Sequence, residues 1–232
     1  MQSKSIVGES FDKREQLFEV SVFLFLIVPS LVYSFFLIKQ GNVSFMLTAV
    51  ATILRDLALV SLILFFLWRN GESILRIGWT LTGMRQEIIV GILLFVPMFV
   101  GAMMLDNILS SIGFSNPSTP LPSFEPGRNA LAILVSIVLV AVVAVAEETC
   151  FRGYLILRFE AVTGSTLLSL LLSAFVFSLG HGYEGTAGVL TVGAIGVVLG
   201  LVYIWRKSLI APVTMHFLQD FASIVLLPFI EK

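Results

Sequence analysis

Two neighbouring glutamates and an arginine, Glu147, Glu148 and Arg152 in "AEETCFRGYL", follow directly on "NALAILVSIVLVAVVAV", a run without a single charge. Both histidines of the chain also sit in or beside apolar runs: His181 closes "FVFSLGHG", and His216 lies in "APVTMHFLQD", four residues before Asp220. Glutamate, aspartate and histidine are the side chains that take protons from water and return them to leaving groups. Helical spacing decides which of them can meet. Glu148 and Arg152, four apart, share a face and can neutralise each other, whereas Glu147 is turned by about 100° from Glu148 and points elsewhere. His216 and Asp220 share a face as well, where a carboxylate can fix the imidazole tautomer. Phe177, four before His181, is placed to pack beneath that ring. Two readings stand at this point: a buried ion-pair cluster that ties helices together, or a catalytic constellation spread over three helices.

The elements that must position these groups are membrane spans. The chain is 57% hydrophobic and 12% charged over 232 residues, against roughly half and a quarter in soluble domains. An all-α, polytopic transmembrane helix bundle of about seven to eight spans follows, as a single integral membrane domain over 1–232. A crossing takes about 20 apolar residues, and seven can be drawn: 17–38, 45–68, 87–109, 129–157, 165–180, 189–205 and 209–229. An eighth could be short or re-entrant. Left facing lipid, Glu147, Glu148 and Arg152 would together cost on the order of 8–10 kcal/mol, so they must face protein or water. The segment "GESILRIGWTLTGMRQE" is expected in the interface plane, and the four prolines of "SSIGFSNPSTPLPSFEPGRN" predict a long capping loop. An N-terminus inside the cell puts ten lysines and arginines, Arg152 and Arg158 among them, on the cytoplasmic side and leaves Lys39, Arg128 and Lys232 outside, the orientation that positive charge favours. Seven spans then put the C-terminus outside. Counted from the cytoplasmic ends, Glu147 lies roughly 15 Å deep, His216 roughly 12 Å and His181 roughly 25 Å, so His181 is too deep to join them unless its helix tilts or begins above the membrane edge.

The order and spacing of these residues carry a resemblance. "EETCFR" fits EExxxR, "FSLGH" fits FxxxH and "HFLQD" fits HxxxN/D, on successive membrane segments. The chain resembles the CAAX-protease and bacteriocin-processing (Abi) family of intramembrane endopeptidases over about 129–228. The resemblance implies that Glu147 is the general base, activating a water together with His181, and that His216 and Asp220 stabilise the oxyanion. Glu148 and Arg152 would orient the site. It implies a protein or peptide substrate reached among membrane lipids. Where the family often has asparagine this chain has Asp220, which as a carboxylate only accepts hydrogen bonds. Asp220 is then protonated, or holds His216 as the donor, or belongs to a metal site. Water activation without a cofactor is the first expectation. Zinc held by Glu147, His181, His216 and Asp220 is the second, although the HExxH signature is absent.

Other candidates have plainer readings. Cys150, three after Glu147, is expected to be inert packing, and as the only cysteine it excludes an internal disulfide. Arg55 and Asp56 fall midway along the second span and, being adjacent, should seek partners on other helices as a structural clasp. Asp106, Glu125 and Glu184 are expected in solvent. Gly180, Gly182 and Gly185 can open backbone around His181, and the glycines from Gly188 onward can admit close helix packing. A net charge of -1 leaves no basic stripe for nucleic acid. Beside the peptidase, two other function classes stay open: an immunity or peptide-sequestering protein that binds without cutting, and a proton-coupled transporter. The small size and bare termini place the chain in a prokaryotic plasma membrane.

Overall fold

The computed structural model describes residues 13–33, 44–115 and 129–226, all of whose regular elements are helical. Helix α1 (Lys13–Tyr33) and α2 (Phe45–Arg69) precede a 3-10 turn, Ile74–Ile77, and α3 (Met84–Ser111). Helix α4 (Ala130–Glu147) runs without a break through a π-helical stretch, Glu148–Leu155, into α5 (Ile156–Thr163). Then come α6 (Thr166–Leu179), a 3-10 turn at Gly182–Glu184, α7 (Gly185–Arg206), and α8 (Ile210–Asp220), which ends in a π-helical turn, Phe221–Leu226. Polar caps start the apolar helices: Ser44 accepts from the Leu47 amide, Asn129 from Ala132 and Ser165 from Leu168, each satisfying an amide the helix leaves unpaired.

Five helical stretches are long and apolar enough to cross a membrane: Lys13–Val32, Phe45–Arg69, Met84–Ser111, Ala130–Thr163 and Gly182–Arg206. Two apolar helices are shorter, Thr166–Leu179 and Ile210–Leu226. Phe25 is 78% exposed and Leu93 68%, while Glu148 and Arg158 are 0% exposed. Apolar side chains outside and charges inside are what a lipid solvent selects. The chain is an integral, multi-pass membrane bundle. The polar segment 1–12, Lys39, the prolines, Glu125 and Arg128 of the capping loop, Lys232 and the outer ends of the first and last expected spans lie outside the described residues.

The fourth span, expected to end at 157, continues as helix to Thr163. Arg158 is buried against counter-ions from elsewhere in the chain: Glu72, which also takes Arg76 at 2.5 Å, and Glu19, 3.3 Å from Arg158 Nε. Glu19 further accepts from Asn70 Nδ2 at 2.6 Å and from the Tyr154 hydroxyl at 3.3 Å. This clamp fastens α1 and the end of α2 to α5. The segment expected in the interface plane is mostly exposed, Ile74 and Leu75 among it, and is held to the bundle where Ile77 is buried and the Trp79 indole donates to Thr149 Oγ1 at 3.0 Å.

The extended α4–α5 rod settles the depth of His181. A tight turn at Gly164 joins the rod to α6, which runs back along it. Glu147 stands 16 residues before Thr163 and His181 16 after Ser165, so each lies about 24 Å from the turn. Ser173 Oγ bonds the Phe151 carbonyl at 2.6 Å and locks the hairpin in this register. A second register mark is Gly153, where a Cβ would stand 2.9 Å from the Ile77 carbonyl oxygen and 3.2 Å from Leu209 Cδ1. From that level Glu147 is six residues up the rod and His216 seven up from Leu209. The fold therefore brings the three motif segments to one height.

Candidate active site

At that height the rod changes from α-helical to π-helical hydrogen bonding immediately after Glu147. Helix α8 makes the same change immediately after Asp220. Each π stretch shifts the side chains that follow it relative to a regular helix, a feature frequent at functional sites.

Arg152 Nη1 donates to Glu148 Oε1 at 2.7 Å, with both side chains at or below 1% exposure. The two residues meet as their four-residue spacing on a helix predicts. Arg152 also lies over the Phe177 ring, 4.3 Å from its centroid. The ring in turn meets Phe151 edge-on at 5.1 Å, His181 at 5.0 Å and His216 edge-on at 6.0 Å. Phe177 does pack against His181, as its position four residues earlier suggested, and it reaches His216 as well.

His216 is the hub. Its Nδ1 lies 2.8 Å from Glu148 Oε1. Its Nε2 is 3.4 Å from Asp220 Oδ2 and 3.7 Å from Glu147 Oε2. Carboxylate oxygens thus flank the ring on both sides, and both nitrogens are placed to donate. Glu147, Glu148, Arg152, His216 and Asp220 form one connected cluster from the rod and α8. His181 is not joined to it by an ion pair: its Nδ1 lies 3.3 Å from the Phe177 carbonyl oxygen, and the Phe177 ring stands between the two histidines.

The zinc set is not assembled. Among the described residues no group of three or more His, Cys, Asp or Glu side chains is arranged to hold a metal ion. His181 in particular makes no ion pair with Glu147, His216 or Asp220, its Nδ1 lying against the Phe177 carbonyl oxygen.

Two other readings are corrected here. Arg55 and Asp56 do pair with each other, Nε to Oδ1 at 2.8 Å and Nη2 to Oδ1 at 2.8 Å. Adjacent Cβ atoms diverge on a helix, but the arginine chain is long enough to fold back. The pair also borders a cavity shared with Glu147, Cys150, Phe23 and Phe151. Asp56 is therefore beside the site, which its sequence position alone did not indicate; the signal was a carboxylate midway along a span, and spacing within one helix does not say which neighbour it faces. Glu184, expected in solvent, is half-buried in the turn after His181, as is Asp106 in α3. Cys150 is buried and free.

Residues 129–222 match the family described as Type II CAAX prenyl endopeptidase Rce1-like. The matched segment holds Glu147, Glu148, Arg152, His181, His216 and Asp220. No curated protein and no solved structure matches the chain.

Proposed function

Because residues 129–222 place this part of the chain in the CAAX-protease/Abi family, we propose that the protein cuts a peptide bond near the membrane face with a water activated by Glu147. The observation that carries this reading is His216, buried in a membrane bundle with Glu148 on one nitrogen and Glu147 and Asp220 facing the other. The water oxygen bonds to the carbonyl carbon as one of its protons passes to Glu147. The carbonyl electron pair moves onto its oxygen, where the His216 Nε2–H donates to it. When that pair returns, the C–N bond breaks and the departing amine takes the proton from Glu147.

Asp220 serves here as an acceptor. It holds the His216 Nε2–H, 3.4 Å away, until the developing oxyanion takes that hydrogen bond, which supports the second of the three roles the sequence left open. Glu148 and Arg152 fix the opposite edge of the ring. His181 sits at the height of Glu147 and acts once the peptide or the water draws it past Phe177. The substrate is a peptide or protein segment presented in the bilayer. The whole chain, 1–232, acts as one membrane domain in a prokaryotic plasma membrane, and the two shorter apolar helices complete a bundle of seven to eight crossings.

The test needs no prior substrate: protein termini in the membrane and secreted fractions are compared between cells carrying the wild type and cells carrying Glu147→Gln at equal expression. Termini present only with the wild type support the reading and mark the cleavage site. A variant that rescues the deletion phenotype with no terminus changed turns the site into a binding site.

A further inference from the structure

We infer that Asp56 is a second acceptor for the attacking water, a catalytic carboxylate supplied by α2 from outside the segment that carries the family match. The inference rests on the peptidase reading above. Asp56 lies within the 25-residue apolar helix α2 and is 2% exposed. Arg55 engages only one of its oxygens, Oδ1. Asp56 Oδ2 is buried and has no hydrogen-bond partner among the described residues. Glu147 Oε2 is likewise buried without a hydrogen bond, His216 Nε2 standing 3.7 Å from it, and both residues line the same cavity.

A buried acceptor left unmade costs about 1–3 kcal/mol, and more when charged. Two of them on one small cavity call for a group that donates to both. Water has two O–H bonds. With one directed to Glu147 Oε2 and the other to Asp56 Oδ2, its lone pairs point away from both carboxylates, toward the space a peptide carbonyl would enter. Asp220 does not line this cavity, and its Oδ2 lies 3.4 Å from His216 Nε2.

Arg55 makes the arrangement tolerable. Through Oδ1 it neutralises Asp56 and leaves Oδ2 as acceptor, so the cavity holds one uncompensated negative charge rather than two. In the step itself Glu147 takes one water proton. The O–H that faces Asp56 stays on the oxygen and becomes the hydroxyl of the tetrahedral intermediate, so Asp56 orients without being protonated.

The test uses the full chain in lipid nanodiscs and a quenched fluorescent peptide spanning the terminus found by the cell comparison. Asp56→Asn is expected to lower kcat roughly 10- to 100-fold, the scale of a misplaced reactant, with KM unchanged and with Asp56→Glu recovering part of the loss. Asp56→Asn leaves Arg55 without its counter-ion, so the charge-free double variant Arg55→Gln/Asp56→Asn is measured beside it and should show the same loss in kcat. A double variant at the wild-type kcat, or one altered only in KM, overturns the role of Asp56 while Glu147→Gln remains inactive. Cleavage by Glu147→Gln at the wild-type rate, or none by the wild type, overturns the peptidase reading itself.

Discussion

Glu148 Oε1 is shared: it lies 2.7 Å from Arg152 Nη1 and 2.8 Å from His216 Nδ1. One buried oxygen thus connects a structural ion pair to the ring that faces Glu147. The two jobs can be separated by mutation. Removing one partner of a buried pair strands the other and costs about 3–5 kcal/mol, whereas replacing both by apolar groups of similar volume is close to neutral. Arg152→Met should therefore lower the unfolding midpoint in detergent sharply, and Glu148→Leu/Arg152→Met should restore part of it, the remainder being the cost of His216 Nδ1 left without its acceptor. Activity should stay lost in the double variant, because His216 no longer has its Nδ1 acceptor. Recovery of activity together with stability would reduce Glu148 to a packing role.

Chelation distinguishes the two chemistries that the sequence left open. Among the described residues the four-residue zinc set is not gathered. Prolonged incubation with a strong zinc chelator should leave cleavage of the nanodisc substrate at the untreated rate. Loss on chelation, restored by added zinc, would show that these side chains regroup around a metal.

Local pairs were legible in the sequence because helix geometry decides them. Glu148 with Arg152 and His216 with Asp220 are both four apart, and both meet. Arg55 and Asp56 were misjudged by the same geometry, since it describes Cβ directions and not the reach of a guanidinium. The burial of Arg158 was not legible because its counter-ions, Glu19 and Glu72, come from α1 and from beyond α2, and no local pattern announces a long-range buried pair. Once Arg158 is inside, the rod extends to Thr163, and His181 comes level with Glu147 without tilt. Five crossings stand on length and composition. Of the two shorter helices, one ends two residues before His181 and the other contains His216.

Gly153 tests whether the common height of the motifs matters. An added Cβ would meet the Ile77 carbonyl oxygen at 2.9 Å and Leu209 at 3.2 Å, and backbone oxygen does not yield as a flexible side chain would. Gly153→Ala should cost about 1–3 kcal/mol, as overpacking commonly does. It should also push the start of α8 away from the rod and so draw His216 off Glu148. Activity is expected to fall by more than the folded fraction does, which activity per folded molecule, measured by unfolding and cleavage on the same sample, can read.

Cys150 lines the cavity three residues from Glu147 yet is only 3% exposed. Buried thiols are poor nucleophiles, since reactivity needs the thiolate and access. Cys150→Ala should cleave at the wild-type rate, and a water-soluble maleimide should label the folded wild type only after unfolding. Rapid labelling with loss of activity, in a protein that Cys150→Ala protects, would open the cavity to solvent without making the thiol catalytic.

Phe177 carries the last prediction, because one ring touches four functional or structural groups. Arg152 lies 4.3 Å above its centroid, and the rings of Phe151, His181 and His216 lie at 5.1, 5.0 and 6.0 Å. Phe177→Ala removes the ring and should cost about 3–5 kcal/mol as a core truncation. Phe177→Leu keeps most of the volume but loses the cation–π contact, worth about 2 kcal/mol when desolvated. If Phe177 acts only as filler, the leucine variant keeps its activity. If it also holds His181 apart from His216 until substrate enters, the leucine variant frees His181, and its kcat and KM change together, while Phe177→Tyr, which retains the ring, behaves as wild type.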